Sequence, residues 1–318
     1  MLKTEEFALQ TSSGRITGLT NTHLNNRPTV LALHGWLDNA ASFLPLISHT
    51  QEYNWIAIDL PGHGHSEHRP ARSYYHFIDW ISDLSAIVDA ILASDVFSHV
   101  QNSDFILVGH SMGGMISSVF AGLYPNVFSK LVLIDAAGPI TEPEDYSVED
   151  IRNALDSRQK LSKKAIYIDK KVDDSNSNNA STTSVHLGYK SRIHKSLESA
   201  IKARKNSGDI SYESAAMLVE RNIKETENGF EWRIDQRLKT FSPIRLSEPL
   251  VHKIISAISV PTLICLAENG LEQVKQNLAR FKVDYQDASH IEVIGSHHCH
   301  MDEVTSVSRA IHAFIESK

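Results

Sequence analysis

Apolar residues in this chain fall into two kinds of pattern. Short runs at 30–33, 55–59, 105–108, 131–134, 262–266 and 291–294 are apolar on consecutive positions. Strands buried on both faces read this way, as in a parallel sheet covered by helices. In 77–92 the apolar residues Ile78, Ile81, Leu84, Val88, Ile91 and Leu92 recur every three or four positions. That spacing predicts a helix with one buried face. Residues 112–124 and 304–315 also read as helices, and 6–11 and 15–20 flank Ser12-Ser13-Gly14 as a strand hairpin would. Strands alternating with helices predict an α/β fold, a mostly parallel sheet flanked by helices.

The alternation stops between about 142 and 248. This segment is more charged, mostly helical by pattern, and holds the polar tract Asp173-Asp174-Ser175-Asn176-Ser177-Asn178-Asn179. Such a tract has little capacity to form a core and reads as a loop. Glu227-Asn228-Gly229-Phe230 reads as a tight turn between short extended pieces. The expected organisation is a core of 1–141 and 249–318, with a helical cap at 142–248.

Composition narrows the function classes. The 318 residues carry 31 Lys and Arg against 38 Asp and Glu, a net charge of −7. An acidic chain argues against general nucleic-acid binding and against a polybasic membrane surface. No run approaches the roughly 18 apolar residues of a membrane span. The acidic start of the sequence does not suit a signal peptide, and Glu316-Ser317-Lys318 is no peroxisomal signal. Cys265 and Cys299 make no disulfide framework. The expectation is a cytoplasmic protein acting on a small molecule without a cofactor. The 17 histidines cluster, which points to chemistry.

Gly109-His110-Ser111-Met112-Gly113 is Gly-x-Ser-x-Gly, directly after a predicted strand and before a predicted helix. That context presents a serine on a sharp turn with its hydroxyl exposed. The following helix start supplies N–H groups for a developing oxyanion.

With these residues in view, the chain resembles the α/β-hydrolase superfamily over nearly its whole length. Within it, the chain looks most similar to the serine hydrolase-like proteins. The likeness rests on the stretches 34–40, 59–66 (Asp-Leu-Pro-Gly-His-Gly-His-Ser), 68–70, 109–114, 232–238 and 245–248. It implies the fold, a cap and a serine nucleophile, and no particular substrate. The N–H groups of Trp36 and Met112 would form the oxyanion hole, and Trp36 and His110 are expected to contact substrate. Family members carry the base after a glycine and five residues before an acid, which selects His297 ahead of Asp302, with His298 as the alternative.

The family's usual acid position, after the strand at 262–266, falls on Gly270. Asp135 ends the strand at 131–134, on the edge where open α/β sheets gather ligands. It is therefore expected as the acid, with Glu268 in reserve. The order Ser111, Asp135, His297 suits the superfamily.

The expected function is a serine esterase working through an acyl-enzyme. The Gly270 departure leaves open a non-catalytic, ligand-binding member of the fold. A remoter alternative is a zinc hydrolase, because His63-Gly64-His65-Ser66-Glu67-His68 resembles the signature of metallo-β-lactamase-like enzymes. The tight-turn reading of the same stretch leaves the expected metal set empty.

Overall fold

The computed structural model describes residues 4–21, 27–71, 73–98, 100, 105–171, 183–189 and 192–317. The polar tract at 173–179 lies outside them. Strands β1 (Glu5–Thr11), β2 (Gly14–Thr20), β3 (Thr29–Leu33), β4 (Asn54–Ile58), β5 (Phe105–His110) and β6 (Lys130–Ile134) precede the inserted segment. That segment contributes β7 (Ala165–Lys171), β8 (Thr183–Tyr189), β9 (Ile193–His194), β10 (Ile223–Thr226) and β11 (Gly229–Trp232). β12 (Thr262–Asn269) and β13 (Ala288–Ser296) follow it. The helices are α1 (Leu44–His49), α2 (Phe77–Leu92), α3 (Met112–Leu123), α4 (Val148–Ser162), α5 (Leu197–Lys205), α6 (Tyr212–Asn222), α7 (Glu248–Ser256), α8 (Glu272–Phe281), α9 (Cys299–Asp302) and α10 (Val304–Glu316).

The main sheet has the order β1-β2-β4-β3-β5-β6-β12-β13. β1 with β2 and β2 with β4 are antiparallel; the other neighbours run parallel. Side chains alternate between its faces. Leu31, Leu33, Leu107 and Leu131 pack with Leu84 of α2, Phe120 of α3 and Ile255 of α7. Val30, Ala32, Val108 and Val132 face the other way, onto Ile47 of α1 and Ile311 of α10. Because both faces are covered, all five residues of β3 are buried. That accounts for the unbroken apolar run. Each fully buried Leu or Val contributes about 1.5–3 kcal/mol.

β13 departs from the expectation. Ile291 is 43% and Ile294 62% exposed, and of 291–294 only Val293 is buried. β13 is the last strand of the sheet, with a neighbour on one side only.

The inserted segment is less helical than its pattern suggests. Besides α4, α5 and α6 it forms a β7–β8 hairpin and a small sheet ordered β10-β11-β9. Strands of two to four residues are too short to display a period of two. The turn at 227–230 joins β10 to β11, with Gly229 at φ +122°.

α5 and α6 have their own apolar cluster, including Ile201, Leu218 and Val219, which Met301 joins from the main body. Polar bonds fasten the segment down. Arg221 Nε donates to both carboxylate oxygens of Asp59, at 3.0 and 2.9 Å. Burial alone would raise the Asp59 pKa, but the Arg221 guanidinium holds it below the ordinary value. Asn39 donates to Leu218 O, and Asn222 to Leu37 O. Arg237, paired within the segment to Asp235, donates to the carbonyls of Pro70 and Ser73, both at 2.7 Å.

Candidate active site

Parallel strands β3, β5, β6 and β12 end at one edge of the sheet. Three non-glycine residues adopt positive φ among the described residues, and all lie just past such strand ends: Leu37 (65°), Ser111 (50°) and Asp135 (41°). Backbone in this region costs on the order of 1–3 kcal/mol per residue and gathers where geometry serves function.

Ser111 sits between β5 and α3, its N–H bonded to Ile134 O at 3.0 Å. The turn is packed too closely for side chains on its glycines. A Cβ at Gly113 would come within 2.0 Å of Leu33 O, and one at Gly109 within 2.5 Å of Gly113. Met112 is the first residue of α3, where a helix leaves N–H groups without an intrahelical acceptor.

His297 follows β13. Its Nε2 lies 2.9 Å from Ser111 Oγ, and its Nδ1 lies 2.6 Å from Asp135 Oδ2. A carboxylate only accepts, so Nδ1 carries the proton and Nε2 accepts from the serine hydroxyl. Asp135 also accepts from the N–H groups of Ala267 (3.3 Å) and Leu271 (3.2 Å). A Cβ at Gly270 would stand 2.3 Å from Asp135 Oδ1. The carboxylate reached from β6 thus fills the space a side chain at 270 would need.

The other expected residues are placed differently. Glu268, the reserve acid, is exposed at the end of β12. His298, the reserve base, turns away from Ser111; its Nε2 is 3.2 Å from Asp38 Oδ2. Trp36 is half exposed on the pocket wall and its indole donates to Leu238 O. His110, expected against substrate, is fully buried outside the pocket lining. Its Nε2 instead donates to the carbonyl of His297 at 2.8 Å. Position 110 closes β5 with its side chain directed inward, away from the pocket that Ser111 meets. Burial, then neighbouring histidines, holds its imidazole well below the ordinary pKa.

The histidines of the metal reading part company. His63 is buried, accepts from Leu37 N, and is pushed down to about 3 by burial. His65 faces Glu6, and His68 donates to Arg233 O. Among the described residues no group of three or more His, Cys, Asp or Glu is arranged to hold a metal.

A pocket of about 650 Å³ opens onto Ser111 and His297. Trp36, Asp38, His298 and Leu271 line it from the main body, and Arg204, Asp209, Trp232 and Lys239 from the inserted segment. Asp38 went unnoticed in the sequence. It is buried, accepts from Arg204 at 2.8 Å and meets His298. Burial would raise its pKa, but His298 and Arg204 hold it well below the ordinary value.

A family profile described as "alpha/beta hydrolase fold" matches residues 28–198. The chain belongs to the α/β-hydrolase family. Among curated relatives of this α/β hydrolase is the serine hydrolase-like protein of Danio rerio, 26% identical over 98% of this chain and 88% of that protein. Serine hydrolase-like protein 2 of Homo sapiens is 26% identical over 91% and 87%. A solved structure of a hypothetical protein from Pseudomonas aeruginosa PAO1 superposes with a TM-score of 0.80 at 28% identity, covering 98% of this chain and all of that one. Among the described residues of this α/β hydrolase, no helix is long and apolar enough to cross a membrane.

Proposed function

We propose that this α/β hydrolase is a serine esterase acting on small esters or related acyl compounds, with Ser111 as nucleophile, His297 as base and Asp135 as acid. The observation that carries the reading is the unbroken chain of short contacts from Ser111 Oγ through both ring nitrogens of His297 to Asp135. The relatives named serine hydrolase-like agree with it. Residues 142–248 act as a cap that roofs the pocket and excludes water from it.

In this mechanism His297 Nε2 takes the Ser111 proton as Oγ attacks the acyl carbonyl. The tetrahedral oxyanion lies against the N–H groups of Trp36 and Met112; one such donor is worth roughly 10²–10³ in rate. His297 returns its proton to the leaving oxygen or sulfur. Asp135 holds the imidazole in the required tautomer and stabilises the imidazolium without taking its proton. Water activated by the same imidazole then releases the acid and frees Ser111. The Asp135 carboxylate beside Gly270 supports the catalytic reading over that of a non-catalytic binding protein.

The test is intact-mass measurement after treatment with a small fluorophosphonate. A single adduct on the wild type, absent from Ser111→Ala, is expected, followed by turnover in an ester and thioester panel. No adduct on folded wild-type protein would overturn the assignment.

A further inference from the structure

Charged side chains on the pocket wall do not match the acidic character of the chain as a whole. Three cations line the cavity, Arg192, Arg204 and Lys239, against the carboxylates Asp38 and Asp209. Asp38 is engaged by Arg204 and His298. Among the described residues no carboxylate lies within 4 Å of Arg192 or Lys239, while nine other contacts pair a Lys or Arg with a carboxylate. Lys239 is exposed, with its stem against the protein, and that partial burial lowers its ammonium pKa. Arg204 donates its terminal nitrogen to Asp38, yet its Nε is buried without an acceptor. All three cations come from the inserted segment and face the cavity that holds Ser111 and His297. Arg192 and Lys239 are exposed at the mouth of the cavity with no carboxylate to neutralise them, and an anionic ligand group entering beside them gains charge-assisted hydrogen bonds.

We propose that this pocket takes acyl substrates bearing an anionic group, a carboxylate or phosphate, held by Arg192, Lys239 and the free edge of Arg204. The inference rests on the reading of Ser111 as the nucleophile, which supplies the acyl chemistry. The anion sits on either the acyl or the leaving side of the scissile bond, and either source satisfies the same cations.

Two matched substrate pairs separate the sources. One is the p-nitrophenyl ester of pentanoate against that of glutarate, whose acyl end carries a carboxylate. The other is the acetyl thioester of N-acetylcysteamine against that of coenzyme A, whose leaving group carries phosphates. The anionic member of one pair is expected to show about tenfold higher kcat/KM. That ratio should fall about fivefold or more in Arg192→Gln/Lys239→Gln, and on raising salt from about 20 mM to about 500 mM. The pair that responds identifies the side bearing the charge. Ratios near one in both pairs, or a ratio unmoved in the double variant, would overturn the proposal.

If no substrate turns over and fluorophosphonate leaves Ser111 unlabelled, the nucleophile reading fails separately. Calorimetric titration of glutarate and of coenzyme A into wild type and double variant then decides. Binding to the wild type that the double variant loses supports the anion site, and absence of wild-type binding to both refutes it.

Discussion

Replacing Gly270 by alanine adds one methyl group where the structure has no room for it. The new Cβ would stand 2.3 Å from Oδ1, 2.7 Å from Oδ2 and 2.8 Å from Cγ of Asp135. Carbon contacts of ordinary length are about 3.5 Å or more, so the carboxylate must withdraw by about 1 Å. It cannot do so and keep both the 2.6 Å bond to His297 and its bonds from Ala267 and Leu271. Misplacement of about 1 Å in a catalytic array costs roughly 10²-fold in rate, or about 2.7 kcal/mol in the barrier. Stability should fall by about 1–3 kcal/mol, because a buried carboxylate loses hydrogen bonds, too little to unfold the protein. We therefore expect Gly270→Ala to remain folded and to react with fluorophosphonate about 10²-fold more slowly. A folded variant labelled at the wild-type rate would show that the carboxylate position does not matter to His297. The assignment of Asp135 would then be wrong.

Further outcomes follow from the same geometry. Asp135→Asn should lower kcat by about 10⁴-fold through the wrong His297 tautomer, whereas Glu268→Gln should stay within about twofold of wild type; comparable losses in the two would move the acid role. Arg221→Ala leaves Asp59 buried without its counter-charge and should cost about 3–5 kcal/mol in urea denaturation; a loss under about 1 kcal/mol would show that water replaces the guanidinium. His300 is fully buried and pushed by burial to about 3. Its neutral form is the one the fold prefers, so its contribution is complete above the unfolded pKa of about 6.5 and is lost as pH falls toward 3. His300→Leu should remove about 1.4 kcal/mol per pH unit from the stability slope between pH 6 and pH 4. Denaturation curves across that range with an unaltered slope would contradict the buried neutral imidazole.

The parts of the site legible in the sequence are those held in short, strained turns. Ser111 is announced by its two glycines, because the turn admits no side chain beside it. Asp135 is found by combining a strand end with the glycine at 270. Gly270 looks in sequence like a missing acid, and in space it is the clearance for the Asp135 carboxylate reached from β6. His297 and His298 differ by one position and cannot be separated by composition; the direction of each ring decides. Asp38 and Arg204 lie 166 residues apart, and no local pattern joins them. His110 illustrates the converse error, since proximity to a nucleophile in sequence does not place a side chain in the pocket. The short strands β9 to β11 are held by pairing across the inserted segment, which a local apolar pattern does not record.

The bond from the His110 ring to the His297 carbonyl has a mechanical consequence. It ties the loop that carries His297 to the strand that leads into Ser111, through a side chain wholly inside the protein. Neither end of that tether belongs to the inserted segment, which lines one side of the cavity. A displacement of that segment would not by itself break this bond. The inserted segment braces the same loop from the other side: Ser296 Oγ donates to Asp209 O, and Ser211 N and Ser214 Oγ donate to Asp302, so both parts of the chain hold His297 in place.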